Sequence, residues 1–140
     1  MREALFRASF HSGRKKSLPT IACNITIRPE RVSDYQQVED IIRQAFYNLY
    51  TPGCTEHYLA HAIRPHPDFL PELDPVLELD GRVVGNIMYT KSTLVDEAGK
   101  EKGILTFGPV CIRPGLQRRG YGRLLMEESF RRASAMGYEA

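Results

Sequence analysis

Apolar and polar positions begin to alternate at Ile25-Thr26-Ile27, which reads as a strand ending at Arg28-Pro29. Ser33 or Asp34 can cap a following helix. Val38, Ile41, Ile42, Ala45, Phe46 and Leu49 recur at helical spacing and predict one apolar stripe against a core. Thr51-Pro52-Gly53 stops this helix, and a shorter one is expected over residues 55–63. Residues 64–75 hold Pro65, Pro67, Pro71 and Pro75 and read as a loop. Val76-Leu77-Glu78-Leu79 is strand-like, and Asp80-Gly81 is a hairpin turn whose two residues tolerate positive φ. Residues 83–95 return as a strand with Gly85 as a candidate bulge. A turn at residues 96–99 leads to another strand over residues 103–112. An amphipathic helix closes the pattern. Leu125, Met126, Ser129, Ala133 and Met136 share one face, while Arg123, Glu127 and Arg131 share another. Glu127 with Arg131, and Glu128 with Arg132, are i,i+4 pairs in the favourable order. The expected order is β-α-α-β-β-β-α: an α/β (α+β) domain with a mixed, mostly antiparallel sheet flanked by helices.

Composition narrows the class. With 140 residues, one domain is the default, and the pattern starts it at residue 23. A hydrophobic share of 42% and a charged share of 26% are ordinary for a globular chain. No apolar run approaches the roughly 20 residues that span a bilayer, so no membrane partner is expected. The net charge of +2 is unevenly placed. Residues 1–22 carry Arg2, Arg7, Arg14, Lys15 and Lys16 against Glu3, a net +4 that leaves −2 for the rest. That basic segment lacks periodicity and reads as a disordered N-terminal extension, with a targeting presequence as the alternative. The acid-rich remainder argues against a nucleic acid or other anionic polymer as partner. Cys23, Cys54 and Cys111 are odd in number with no CxxC spacing, which fits a cytoplasmic location better than a disulfide framework. Asn24-Ile25-Thr26 matches the glycosylation triplet, by chance in such a chain. His57 and His61 have a metal-compatible spacing, with His66 beyond. No carboxylate or cysteine completes a set, so no metal is expected.

The chemistry concentrates in GPVCIRPGLQRRGYGRLLMEESFRRA, residues 108–133. Pro114 and Gly115 break the strand. Gly120 and Gly122 let a ligand approach bare main chain. The first turn of the helix brings unpaired N–H groups and a positive dipole end. Arg113, Arg118, Arg119 and Arg123 stand there with no acid between residues 106 and 126. Together these make an anion site suited to a pyrophosphate. A Rossmann fingerprint fails because Leu125 replaces the third glycine, and a P-loop fails because no lysine follows the glycines. What remains is Q-x-x-G-x-G, as QRRGYG, between a strand and an amphipathic helix.

This stretch resembles motif A of the GNAT superfamily of acyl-CoA-dependent N-acetyltransferases, and the order of elements from Ile25 onward resembles that fold. The resemblance implies that acetyl-CoA is a co-substrate. Its pyrophosphate would rest on main-chain N–H groups of Gln117, Arg118, Arg119, Gly120, Tyr121 and Gly122, with Arg123 close by. The pantetheine arm would run beside Val110, Cys111 and Ile112, where Pro109 fits a local splay. A neutral amine would attack the thioester directly, with a main-chain N–H near Val110 steadying the oxyanion. Cys111 is then a packing residue rather than a nucleophile. In that family the first two helices and their connection wall the acceptor site, so Tyr47, Tyr50 and Tyr58 are candidate substrate contacts. Glu56 and His57 are candidates to orient the amine or relay its proton. Two features depart from the pattern: Thr106 stands where many members carry a glutamate base, and the chain ends at Tyr138-Glu139-Ala140, before the family's later strands and helix. The reading is thus a partial N-acetyltransferase domain over residues 23–140. A small molecule or a peptide amine is the acceptor, and a homodimer is open. The alternatives are a CoA-binding module without transfer, or a fragment that another chain completes.

Overall fold

The computed structural model describes residues 4–7 and 23–138. In chain order its elements are β1 (Ala4–Arg7), β2 (Asn24–Pro29), α1 (Tyr35–Phe46), α2 (Glu56–Ile63), β3 (Pro75–Leu79), β4 (Arg82–Val95), β5 (Glu101–Ile112) and α3 (Tyr121–Ala135). Short 3-10 turns at Val32–Asp34 and Pro71–Leu73 lead into α1 and β3. The five strands form one antiparallel sheet in the order β1-β2-β3-β4-β5. β1 departs from the expected disordered extension, whose charge and lack of alternation carry no strand signal. Its Ala4–Arg7 strand pairs with Asn24 to Ile27. The remainder of that extension, residues 1–3 and 8–22, lies outside the described residues, as do residues 139–140.

Alternation along the strands divides the core in two. Ile25, Ile27, Leu77, Ile87, Tyr89 and Ile112 pack with Leu125 and Ala133 of α3 on one face. Val76, Val83, Met88 and Cys111 pack with Val38, Ile41, Ile42 and Ala60 of α1 and α2 on the other. At roughly 25 cal/mol per Å² of apolar area, these two layers are the main drive to fold. The helix stripe is shorter than its pattern: α1 ends at Phe46, so Leu49 falls beyond it and is 57% exposed. Met136 likewise lies past α3 and is exposed.

Turn chemistry sets the register. Asp80 and Gly81 take φ of 50° and 81°, the left-handed pair that a two-residue hairpin needs. The bulge expected at Gly85 is present: Leu77 pairs with Gly85 and Glu78 with Val83, leaving Val84 as the extra residue. A Cβ on Gly85 would lie 2.5 Å from Ile112 Cδ1 and 3.7 Å from Leu125 Cδ2. The missing side chain therefore lets α3 and the end of β5 close on β4. A second irregularity falls on β5, where Gly108 and Pro109 together face Met88 between the pairs Ile87–Val110 and Tyr89–Phe107. β5 is the last strand of the sheet, so its outer edge has no strand partner among the described residues.

Candidate anion loop and acceptor side

β5 delivers the chain to residues 113–120, and α3 begins at Tyr121. Arg113 N–H still bonds Val84 O at 2.7 Å, and Leu116 N–H closes a turn on Arg113 O. Gln117 folds back, its Nε2 donating to Ile112 O at 3.1 Å, which ties the loop to the strand end. Gly115, Arg118 and Gly120 have φ of 88°, 61° and 87°. Left-handed residues of this kind among right-handed ones aim successive N–H groups toward one side. For Arg118 the conformation costs about 1–2 kcal/mol, strain that a binding loop can store. The first N–H of α3 to find a helical acceptor is that of Leu124, on Gly120 O at 3.0 Å. Gly120 caps α3 without a side-chain bond, so the N–H groups of the first turn point outward unpaired among the described residues. A Cβ at Gly120 would meet nothing within 4 Å, so this main chain borders open space.

Arg118 and Arg119 are exposed and form no ion pair among the described residues. Arg123 bonds Glu127 at 2.7 Å, although its side chain is 84% exposed. This is a reversed partner: Glu127 takes Arg123 instead of Arg131, because Arg131 bonds the buried Glu128, as Arg132 also does. Those two guanidiniums, Arg131 first, hold the Glu128 carboxyl below its ordinary range despite burial. Beside the loop, Ile25, Arg119, Gly120, Tyr121, Arg123, Leu124 and Glu127 line a cavity of about 220 Å³. Arg113 Nε is buried without a partner, as is unusual for a guanidinium. A left-handed glycine cap facing open space and two unpaired arginines thus fit a phosphate-bearing ligand.

On the other face the expected groups separate. Thr106 Oγ1 donates to Ser92 Oγ at 2.7 Å, so a hydroxyl pair stands at the position compared with a glutamate base. Glu56 accepts from Thr55 N–H at 3.0 Å and from the Cys54 thiol. Its own main-chain N–H and that thiol hold its carboxyl below the usual range, which makes it a poor base. His57 lies one turn before Ala60 on α2 with its Nδ1 buried and unpartnered. The three tyrosines do not converge. Tyr47 lines a depression of about 390 Å³ with Arg43, Gln44 and Pro114. Tyr50 lines another of about 400 Å³ with residues of its own loop, and Tyr58 meets the His57 ring at 42°, with centroids 4.6 Å apart. His61 approaches Glu39, and His66 accepts from Asp68 N–H, so the three histidines are not gathered around one point.

Cys111 is 3% exposed, and burial pushes its thiol up to about 12, so it carries no nucleophilic thiolate near neutral pH. Cys111→Ala is expected to leave acyl transfer intact and to cost about 1 kcal/mol of stability by loss of packing. Parallel thiol-release and urea-unfolding curves check both.

Behind Cys111 lies a polar network that nothing in the sequence pattern indicated. Asn86, fully buried and opposite Cys111, donates to Asp74 Oδ1 at 2.6 Å and to Pro75 O at 3.1 Å. Burial, then the Glu30 carboxyl, push Asp74 from 3.8 up to about 9. The folded chain therefore keeps a proton that the unfolded chain loses, and stability falls as pH rises between those values. Asp74→Asn keeps the acceptor for Asn86 and should flatten that decline, read as melting temperature against pH. An unchanged slope would show that Asp74 is not its source.

Comparison with known proteins places this geometry. The model of the acetyltransferase (GNAT) family matches residues 35–140. A GNAT family acetyltransferase from Brucella melitensis, solved in complex with acetyl-CoA, is 29% identical, with a TM-score of 0.70 over 81% of this chain and 71% of its own. A GNAT family acetyltransferase from Staphylococcus aureus shares the fold at 17% identity and a TM-score of 0.59, covering 83% of this chain and 82% of its own. An aminoglycoside N-acetyltransferase solved with CoA shares it at 12% identity and 0.61, covering 87% and 77%. No curated protein matches the chain.

Proposed function

The chain belongs to the GNAT acetyltransferase family, and from that premise we propose that it binds acetyl-CoA and transfers the acetyl group to a primary amine. The observation that carries the reading is the loop before α3, whose unpaired N–H groups and unpaired arginines face open space beside a strand edge. Acetyl-CoA supplies an activated thioester when bound. The chain's own part is to hold and orient. Main-chain groups of residues 117–122 receive the pyrophosphate, with Arg118 and Arg119 adding charge-assisted hydrogen bonds. Arg123 can join them by leaving Glu127, since so exposed an ion pair is weak in water. Val110, Cys111 and Ile112 offer main chain to the pantetheine arm, and an N–H at Val110 is the proposed oxyanion donor.

The acceptor stands on the side of α1 and α2. A lysine-like amine must lose a proton before attack, since its pKa is about 10.4. Thr106 cannot take it, and the Glu56 carboxylate is engaged by Thr55 N–H and the Cys54 thiol, which leaves His57 or solvent. Tyr47, Tyr50 and Tyr58 are separate surfaces for the acceptor's body rather than one cage. The rival reading, a CoA-binding module without transfer, draws on the hydroxyl pair at Thr106. Calorimetry with acetyl-CoA tests binding. Free-thiol release with a panel of a lysine peptide, a polyamine and an aminoglycoside tests transfer. Binding without thiol release would favour the rival, and no binding would defeat both.

A further inference from the structure

α2 has eight residues, and the buried one is Ala60. A helix of that length is not stable alone, and one alanine gives little apolar anchorage. Yet α2 lies against α1 and β5 and carries Glu56, His57 and Tyr58. Its position is held instead at its C-terminal cap, Arg64. The Arg64 side chain is 6% exposed. Its Nε and Nη2 donate to the two oxygens of Glu30 at 3.0 and 2.8 Å, a planar fork on a carboxylate that is itself 1% exposed. Its Nη1 pairs with Glu39 of α1, and the guanidinium lies 4.0 Å over the ring of Tyr35. Glu30 N–H bonds Asp74 O at 2.8 Å, and Asn86 links Asp74 to the strand position opposite Cys111. A continuous polar clamp therefore runs from the end of α2 through α1 and the exit of β2 to the β4–β5 ladder.

We infer that Arg64 is a positioning residue: its clamp on Glu30, Glu39 and Tyr35 sets where α2 stands, and so sets the acceptor side of the site. This rests on the reading of α2 as an acceptor wall. Arginine is required by the geometry. A lysine keeps the charge but has neither the fork that meets both Glu30 oxygens nor the plane that stacks on Tyr35. The anion loop follows directly on Ile112 at the end of β5, but its residues take no part in the hydrogen bonds or the ring contact of Arg64.

Arg64→Lys is the test, in the full chain. Amide hydrogen exchange of α2 should speed up by about tenfold while the amides of β4 stay protected, because the clamp governs local opening. Acetyl-CoA affinity by calorimetry should stay within about twofold, and KM for the lysine peptide should rise by about tenfold with kcat little changed. Tyr35→Leu, which removes only the stacking ring, should repeat the pattern more weakly, and it serves if Arg64→Lys fails to fold. Unchanged α2 exchange in a folded variant overturns the inference. So does an equal loss of acetyl-CoA affinity and amine KM, which would mark Arg64 as a general stabiliser. If the wild type binds no acetyl-CoA, the functional reading fails, and the exchange data still decide the clamp.

Discussion

Gly120→Glu should reduce acetyl-CoA affinity by more than about a hundredfold, the equivalent of some 3 kcal/mol or more from lost charge-assisted bonds and added repulsion. Gly120 has φ of 87°, and its Cβ direction is open. The substitution therefore meets no steric clash in the free protein. It costs about 1–2 kcal/mol of left-handed strain, which a marginally stable domain can bear. The new carboxylate, however, stands where the N–H groups face outward, and it would take those groups for itself. Gly120→Ala separates the two effects, since it carries the strain without the charge and should bind within about tenfold of the wild type. Calorimetry on both folded variants gives the comparison. Equal affinities for the glutamate variant and the wild type would remove the loop from the site.

Arg28→Met should be the most destabilising single change considered, at about 3–5 kcal/mol in urea unfolding. Arg28 is 5% exposed. It donates to both oxygens of Asp34 at 2.7 and 3.0 Å and to Glu78 at 2.8 Å. Removing it leaves two carboxylates facing one another with no cation between them. Asp34 is the informative partner, because the Arg28 guanidinium holds its carboxyl below the ordinary 3.8. A depressed acid adds stability above its unfolded value, and that stability is lost as pH falls through the folded value. The gap between wild type and variant should thus be widest near neutral pH and narrow below about pH 4. A gap that stays constant on acidification would show that the ion pair is not the source.

Both residues show what a one-dimensional pattern can carry. Gly120 was legible because everything it needs is local: a strand end, a breaker at Pro114-Gly115 and a helix start within a few residues. The Asp80-Gly81 turn and the Gly85 bulge were legible for the same reason. In the sequence Arg28 reads as no more than a strand end. The sequence offers Ser33 or Asp34 as the cap of α1; Asp34 stands at that position, but its side chain turns back to Arg28 and Arg31 N–H instead of bonding the helix. The partners of Arg28, Arg64 and Asp74 are supplied by the sheet and by helix packing, over separations that periodicity does not encode. Competition also defeats pattern: Glu127 to Arg131 is a sound helical pair until Glu128 is buried and captures both following arginines. Tyr47, Tyr50 and Tyr58 fall in the α1–α2 region that the family resemblance marks as an acceptor wall, whereas the structure sets them on separate surfaces.

Phosphate on the main chain between β5 and α3 is the contact on which binding of acetyl-CoA turns. An amide spectrum of the nitrogen-labelled protein, followed during titration with CoA, addresses it residue by residue. The largest shifts are expected at residues 117–123, with smaller ones at Val110 to Ile112 and little change in α2. Saturable CoA binding that leaves the amides of residues 117–123 unmoved would contradict it.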